Sequence, residues 1–184
     1  MDIRIRLHDL EFKPYISTDQ LRQCIQQMGA ALTTDYKGRN PLFLGVLNGA
    51  FVFAADLLRA CDMDCEISFI RLSSYAGTQS SGSVATVIGL QMDVTGRDVV
   101  IVEDIVDSGR TLHEFLPELW KLEPASVRIA ALLLKPDALE FDVNVDYIGF
   151  EIPSRFVVGY GLDYNGLGRN LPDIWQLDME GVSV

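Results

Sequence analysis

The chain has 184 residues, 48% of them hydrophobic and 22% charged, enough apolar material for one ordinary core and too much for a disordered or collagen-like chain. Its 15 Lys and Arg stand against 26 Asp and Glu, a net charge of −11, so general nucleic-acid binding would work against the protein's own field. An anionic ligand must therefore be held locally, by backbone N–H groups or by a metal ion.

The first residues, Asp2-Ile3-Arg4-Ile5-Arg6-Leu7, alternate charged and apolar side chains and read as a strand-like arm, with charges where a signal peptide would have its apolar core. Ser17-Thr18-Asp19-Gln20 offers a capping box, and Leu21, Ile25, Met28 and Leu32 then recur at the spacing of one helical face. That spacing predicts a helix ending before Lys37-Gly38. Residues 41–47 form a short apolar run, followed by Asn48-Gly49 and a helical stretch over 51–60. Residues 66–72 predict another strand, and 73–83, rich in Ser, Gly and Thr, a loop.

Residues 99–102 are a continuous aliphatic run, the pattern of a strand covered on both faces. A helix over 111–122 and strands over 127–134 and 145–150 complete the alternation. It predicts an α/β fold with a central, mostly parallel sheet flanked by helices. The longest apolar stretches, such as 99–102 and 129–134, fall far short of the roughly 20 residues of a membrane span. Cys24, Cys61 and Cys65 form no CxxC pair and read as small, reduced core residues. The expectation is a soluble, cytoplasmic protein without membrane or nucleic-acid partners.

In parallel sheets the chemistry sits at the carboxyl ends of the strands. There the densest constellation is Glu103-Asp104-Ile105-Val106-Asp107-Ser108-Gly109-Arg110-Thr111, three acids and a small-residue loop opening a helix. Ser108, Gly109 and Thr111 place N–H and hydroxyl donors at a helix N-terminus, a phosphate cradle that needs no lysine. Glu103 and Asp104 could accept hydrogen bonds from ribose hydroxyls or hold Mg²⁺. A sugar phosphate fits both halves, whereas neither GxGxxG after a strand nor GxxxxGK[ST] occurs.

The stretch 99–112 closely resembles the phosphoribosyl-pyrophosphate signature of the type I phosphoribosyltransferases. Leu47-Asn48-Gly49, Ser73-Ser74-Tyr75, Leu133-Leu134-Lys135-Pro136 and Phe156-Val157-Val158-Gly159-Tyr160-Gly161-Leu162-Asp163-Tyr164 narrow the resemblance to the hypoxanthine-guanine branch. It implies one domain over 1–184, with a core of about 38–150 and a small hood from about 1–16 and 151–184. It also implies transfer of ribose 5-phosphate from phosphoribosyl pyrophosphate to a 6-oxopurine, with Mg²⁺, in a homodimer or homotetramer.

The resemblance assigns roles residue by residue. Ser108, Gly109, Arg110 and Thr111 cradle the 5-phosphate; Glu103 and Asp104 hold the ribose hydroxyls. Leu47, Asn48, Gly49 and Arg169 meet the pyrophosphate, with a non-proline cis bond at Leu47-Asn48. Asp107 takes or shares the purine proton, and Lys135 donates to the 6-oxo group. Phe156 and Ile105 sandwich the base, whose edge the Val157 backbone and Asp163 read. Asp163, with Glu103 and Asp104, supplies carboxylate for the metal, and Ser74 and Tyr75 belong to a closing lid. Two positions depart from the pattern: Asn48 stands where many relatives carry Lys or Arg, and Gly168, where bulky aromatics are common, lies in a glycine-rich stretch ahead of Arg169. A second reading keeps the same ligand pocket in a regulatory protein without catalysis.

Overall fold

The computed structural model describes residues 3–73, 86–88, 90 and 92–179. Its elements are β1 (Ile5–Leu7), β2 (Leu10–Ile16), α1 (Thr18–Asp35), β3 (Leu42–Leu47), α2 (Phe51–Ala60), β4 (Glu66–Ser73), β5 (Thr86–Ile88), β6 (Asp98–Val106), α3 (Arg110–Trp120), β7 (Ser126–Leu134), β8 (Tyr147–Glu151), β9 (Val157–Val158) and β10 (Ile174–Leu177). The capping box starts α1: Gln20 N donates to Ser17 Oγ at 3.4 Å, and Ser17 N donates to Gln20 Oε1 at 3.0 Å. Leu21, Ile25, Met28 and Leu32 are buried, as their spacing predicts. Gly29 lets α1 lie directly on the end of α2, since a Cβ there would come within 2.6 Å of the Ala60 carbonyl oxygen.

Six strands form one sheet in the order β5-β4-β3-β6-β7-β8, all parallel except β5, which pairs antiparallel with β4. An antiparallel sheet in the order β1-β2-β10-β9 joins the two ends of the chain above it. The expected α/β architecture with a small second layer from the terminal segments is therefore present. Val100 and Val102 pack with Leu21, Ile25, Phe53 and Leu57 of α1 and α2, whereas Val99 and Ile101 pack with Leu112, Phe115 and Leu119 of α3. This strand alternation decides where the acids of β6 point.

The structure corrects the expected end of that strand. The aliphatic run over 99–102 is the middle of a longer strand: β6 runs on to Val106, with Glu103 opposite Ala131 and Ile105 opposite Leu133. β7 continues to offer backbone partners past the acids, so the charges do not end the ladder. The helix expected over 111–122 is α3, which starts one residue earlier and ends two residues earlier. Residues 74–83 of the expected loop, including Ser74 and Tyr75, lie outside the described residues. Cys24, Cys61 and Cys65 are free and partly buried, and burial pushes the Cys61 thiol up to about 11. Among the described residues no helix is long and apolar enough to cross a membrane.

Candidate active site

The carboxyl ends of β3, β4, β6 and β7 open on the same edge of the sheet, and the loops leaving them build two adjoining cavities. Alternation along β6 sends Asp104 toward the α1 and α2 side and Glu103 toward α3. Gly49, just past β3, lies on the Asp104 carboxylate: a Cβ at position 49 would sit 1.5 Å from Oδ2. A larger residue there would displace the Asp104 side chain. Burial pushes the Asp104 carboxyl up to about 6, with Arg169 opposing and Asp163 reinforcing the rise. Burial, then the neighbouring Asp104 charge, push Glu103 well above the usual carboxylate range. Glu103 Oε2 is buried without a hydrogen-bond partner.

Glu103 lines the smaller cavity, about 90 Å³, with Asp107, Ser108, Gly109 and Thr111. Gly109 precedes α3 with φ of +78°, a left-handed turn that favours glycine and brings the first N–H groups of the helix into the loop. The Ser108 carbonyl accepts from Glu140 N at 3.0 Å and Phe141 N at 3.2 Å, which ties the loop to the chain after β7. The Arg110 side chain turns away, pairing with Glu114 at 3.0 Å and lying over the Phe141 ring. Its backbone N–H is what it brings to the cradle.

The larger cavity, about 270 Å³, is lined by Gly49, Asp104, Ile105, Asp107, Lys135, Phe156, Val157, Leu162, Asp163 and Arg169. Lys135 leaves β7 with its backbone N donating to Val106 O at 3.0 Å, and its Nζ lies 2.6 Å from Asp107 Oδ2. The lysine side chain is 9% exposed and the aspartate 55%, so a buried cation reaches outward to a half-open carboxylate. Two residues with separate expected roles are thus one ion pair. Phe156 is 41% exposed and braced edge-on by Tyr164 at 5.7 Å, which leaves an aromatic face toward the cavity.

Arg169 is held twice, by Asp163 Oδ1 at 2.7 Å and by the Gly161 carbonyl at 2.7 Å. The glycine-rich stretch before it is a defined turn: Tyr164 and Leu167 exchange backbone hydrogen bonds across Asn165 and Gly166, both at positive φ. Asp163 Oδ2 accepts from Gly166 N at 2.7 Å and closes that turn. The Leu47-Asn48 bond is cis, as the resemblance implies. Expected metal-site residues are divided, with Asp104 and Asp163 in the larger cavity and Glu103 in the smaller.

One neighbour escapes sequence reasoning. Arg71 of β4 stands across from Leu47 in parallel register, and its Nη2 donates to Asn48 Oδ1 at 2.8 Å. A charged residue two positions before Ser73-Ser74-Tyr75 was the available signal, but the pairing that gives it meaning spans two strands.

Residues 17–165 match the model of the phosphoribosyl transferase domain. The chain is 46% identical to the hypoxanthine-guanine phosphoribosyltransferase of Bacillus subtilis over 91% of this chain and 93% of that protein. It is 48% identical over 95% of its length to the bifunctional protein TilS/HprT of Listeria monocytogenes, of which it spans 27%. A crystal structure of a Staphylococcus aureus hypoxanthine phosphoribosyltransferase superposes with a TM-score of 0.84 at 36% identity, covering 94% of each chain.

Proposed function

The chain belongs to the phosphoribosyltransferase family, and from that premise we propose that it transfers ribose 5-phosphate from phosphoribosyl pyrophosphate to hypoxanthine, and to guanine, in purine salvage. The observation that carries this reading is the Asp107 and Lys135 pair beside the helix N-terminal loop: a proton acceptor, a buried donor and an anion cradle share one strand-end site. In the reaction the bond from the anomeric carbon to pyrophosphate oxygen breaks and a bond to a purine ring nitrogen forms. The electron pair leaves with pyrophosphate, and the proton of the attacking nitrogen goes to Asp107.

Ser108, Gly109, Arg110 and Thr111 receive the 5-phosphate through backbone N–H groups and hydroxyls. Asp104 and Glu103 flank the ribose from the two faces of β6, and a ligand hydroxyl would satisfy the orphaned Glu103 Oε2. Phe156 and Ile105 hold the base between them, and Val157 and Asp163 border its edge. Lys135 donates to the 6-oxo group while keeping a second N–H on Asp107, since an ammonium carries three donors. Adenine presents a donor at that position, so the buried lysine would lose its partner.

Mg²⁺ fits the oxygen-only donors of the larger cavity. Asp163 and Asp104 are the carboxylates of that cavity that would hold the ion, with substrate and water oxygens completing its ligands. Bound there, it would supply positive charge to offset that of the departing pyrophosphate. Free thiols at Cys24, Cys61 and Cys65 suit a cytoplasmic enzyme. Phe51 and Phe69, 43% and 37% exposed, suit a homodimer or homotetramer in which a second copy covers them.

Incubation with phosphoribosyl pyrophosphate, Mg²⁺ and hypoxanthine should release pyrophosphate and nucleotide in equal amounts; tight binding of the sugar phosphate with no release would favour the regulatory reading. Lys135→Met should raise the Michaelis constant for hypoxanthine by about tenfold or more, the value of a hydrogen bond to a charged group, and that for phosphoribosyl pyrophosphate far less. Steady-state kinetics with each substrate varied in turn reads the split. Equal rises would make Lys135 a structural residue.

A further inference from the structure

Among the described residues, the cations that line the two cavities are already committed to carboxylates. Lys135 faces Asp107 at 2.6 Å, Arg169 faces Asp163 at 2.7 Å and Arg110 faces Glu114 at 3.0 Å. Arg71, bonded to the residue just before the cavity-lining Gly49, differs. Its hydrogen bond among the described residues goes to the Oδ1 of Asn48 at 2.8 Å, an uncharged acceptor. The amide therefore orients the guanidinium without neutralising it, and the side chain is exposed at the carboxyl end of β4.

Asn48 is also constrained by this contact. A guanidinium has donors only, so the amide oxygen must face Arg71 and the Nδ2 branch, with two N–H donors, must face away. Asn48 directly precedes Gly49, which lies on Asp104 in the larger cavity. A polyanion entering beside Asp104 and Asp163, in a protein of net charge −11, meets repulsion that the paired cations only partly offset.

We propose that Arg71, oriented by Asn48, binds the pyrophosphate end of the sugar substrate, with Asn48 Nδ2 donating beside it. This inference rests on the phosphoribosyl-transfer reading. It assigns to a residue of β4 the charge that position 48 does not carry.

Calorimetric titration with magnesium pyrophosphate, at two salt concentrations, tests it without requiring turnover. Arg71→Gln should weaken pyrophosphate binding about tenfold, the scale of one charge-assisted hydrogen bond, and flatten its salt dependence. Binding of the nucleotide product, which lacks pyrophosphate, should stay within about twofold. Asn48→Lys in the Arg71→Gln background returns a cation to the same spot and should recover most of the loss. In the parent, the same Asn48→Lys change sets two cations together and should gain little. Pyrophosphate affinity unchanged in Arg71→Gln, or pyrophosphate and nucleotide weakened equally, would overturn the assignment. Failure of the parent to form nucleotide would instead count against the phosphoribosyl-transfer reading, and the titration separates the two.

Discussion

Asp107→Asn is expected to lower turnover by about 10²–10⁴-fold, the range typical of losing a positioned general base, with little change in phosphoribosyl-pyrophosphate affinity. The amide keeps the shape of the carboxylate but cannot accept the proton displaced as the purine nitrogen attacks. A second consequence follows from the ion pair. Lys135 is 9% exposed and its Nζ lies 2.6 Å from Asp107, so the variant leaves a largely buried cation facing a neutral group. Hypoxanthine binding should therefore weaken as well, because the lysine is held less well toward the base. Single-turnover kinetics at saturating hypoxanthine isolates the proton-transfer loss from the binding loss. Turnover within a few fold of the parent would show that the proton goes elsewhere.

Asp104→Asn is expected to stabilise the protein while removing ligand affinity. Burial raises this carboxyl from 3.8 to about 6, so the folded protein binds more protons than the unfolded chain between those values. Stability contributed by this group is therefore present at low pH and lost as pH rises through about 6. The full difference is worth up to about 3 kcal/mol, an upper bound because Asp104 keeps some solvent contact. The variant should melt up to about 5–10 °C higher than the parent at pH 7, with the gap closing toward pH 4. Its affinity for phosphoribosyl pyrophosphate should fall about tenfold or more, because a charged acceptor for ribose hydroxyls is gone. Thermal unfolding of both proteins across pH, with calorimetry at pH 7, reads both effects. A melting gap independent of pH would show that Asp104 is ionised in the folded state as easily as in water.

Much of the fold is written in local patterns that the chain obeys. The Ser17 capping box and the 21, 25, 28, 32 stripe act within a few residues, and α1 starts and packs as they dictate. The 51–60 helix appears with the same limits. The phosphate loop is similarly local, because Ser108 and Gly109 need only a following helix to present N–H groups. What escaped is set by pairing between distant segments. Glu103 and Asp104 are adjacent in sequence, yet continuation of the β6 ladder along β7 sends them to opposite faces. Lys135 and Asp107 meet because β6 and β7 end in register, and Arg71 meets Asn48 because β4 and β3 do. Crossover connections fix these registers, and no residue near either partner announces them.

The ion pair at the base site gives the account its most direct test: nucleotide formation from hypoxanthine, guanine and adenine, each with phosphoribosyl pyrophosphate and Mg²⁺. Hypoxanthine and guanine should be converted with equimolar pyrophosphate, and the specificity constant for adenine should be lower by about 10²-fold or more. Conversion of adenine as readily as hypoxanthine, or of none of the three, would contradict the account.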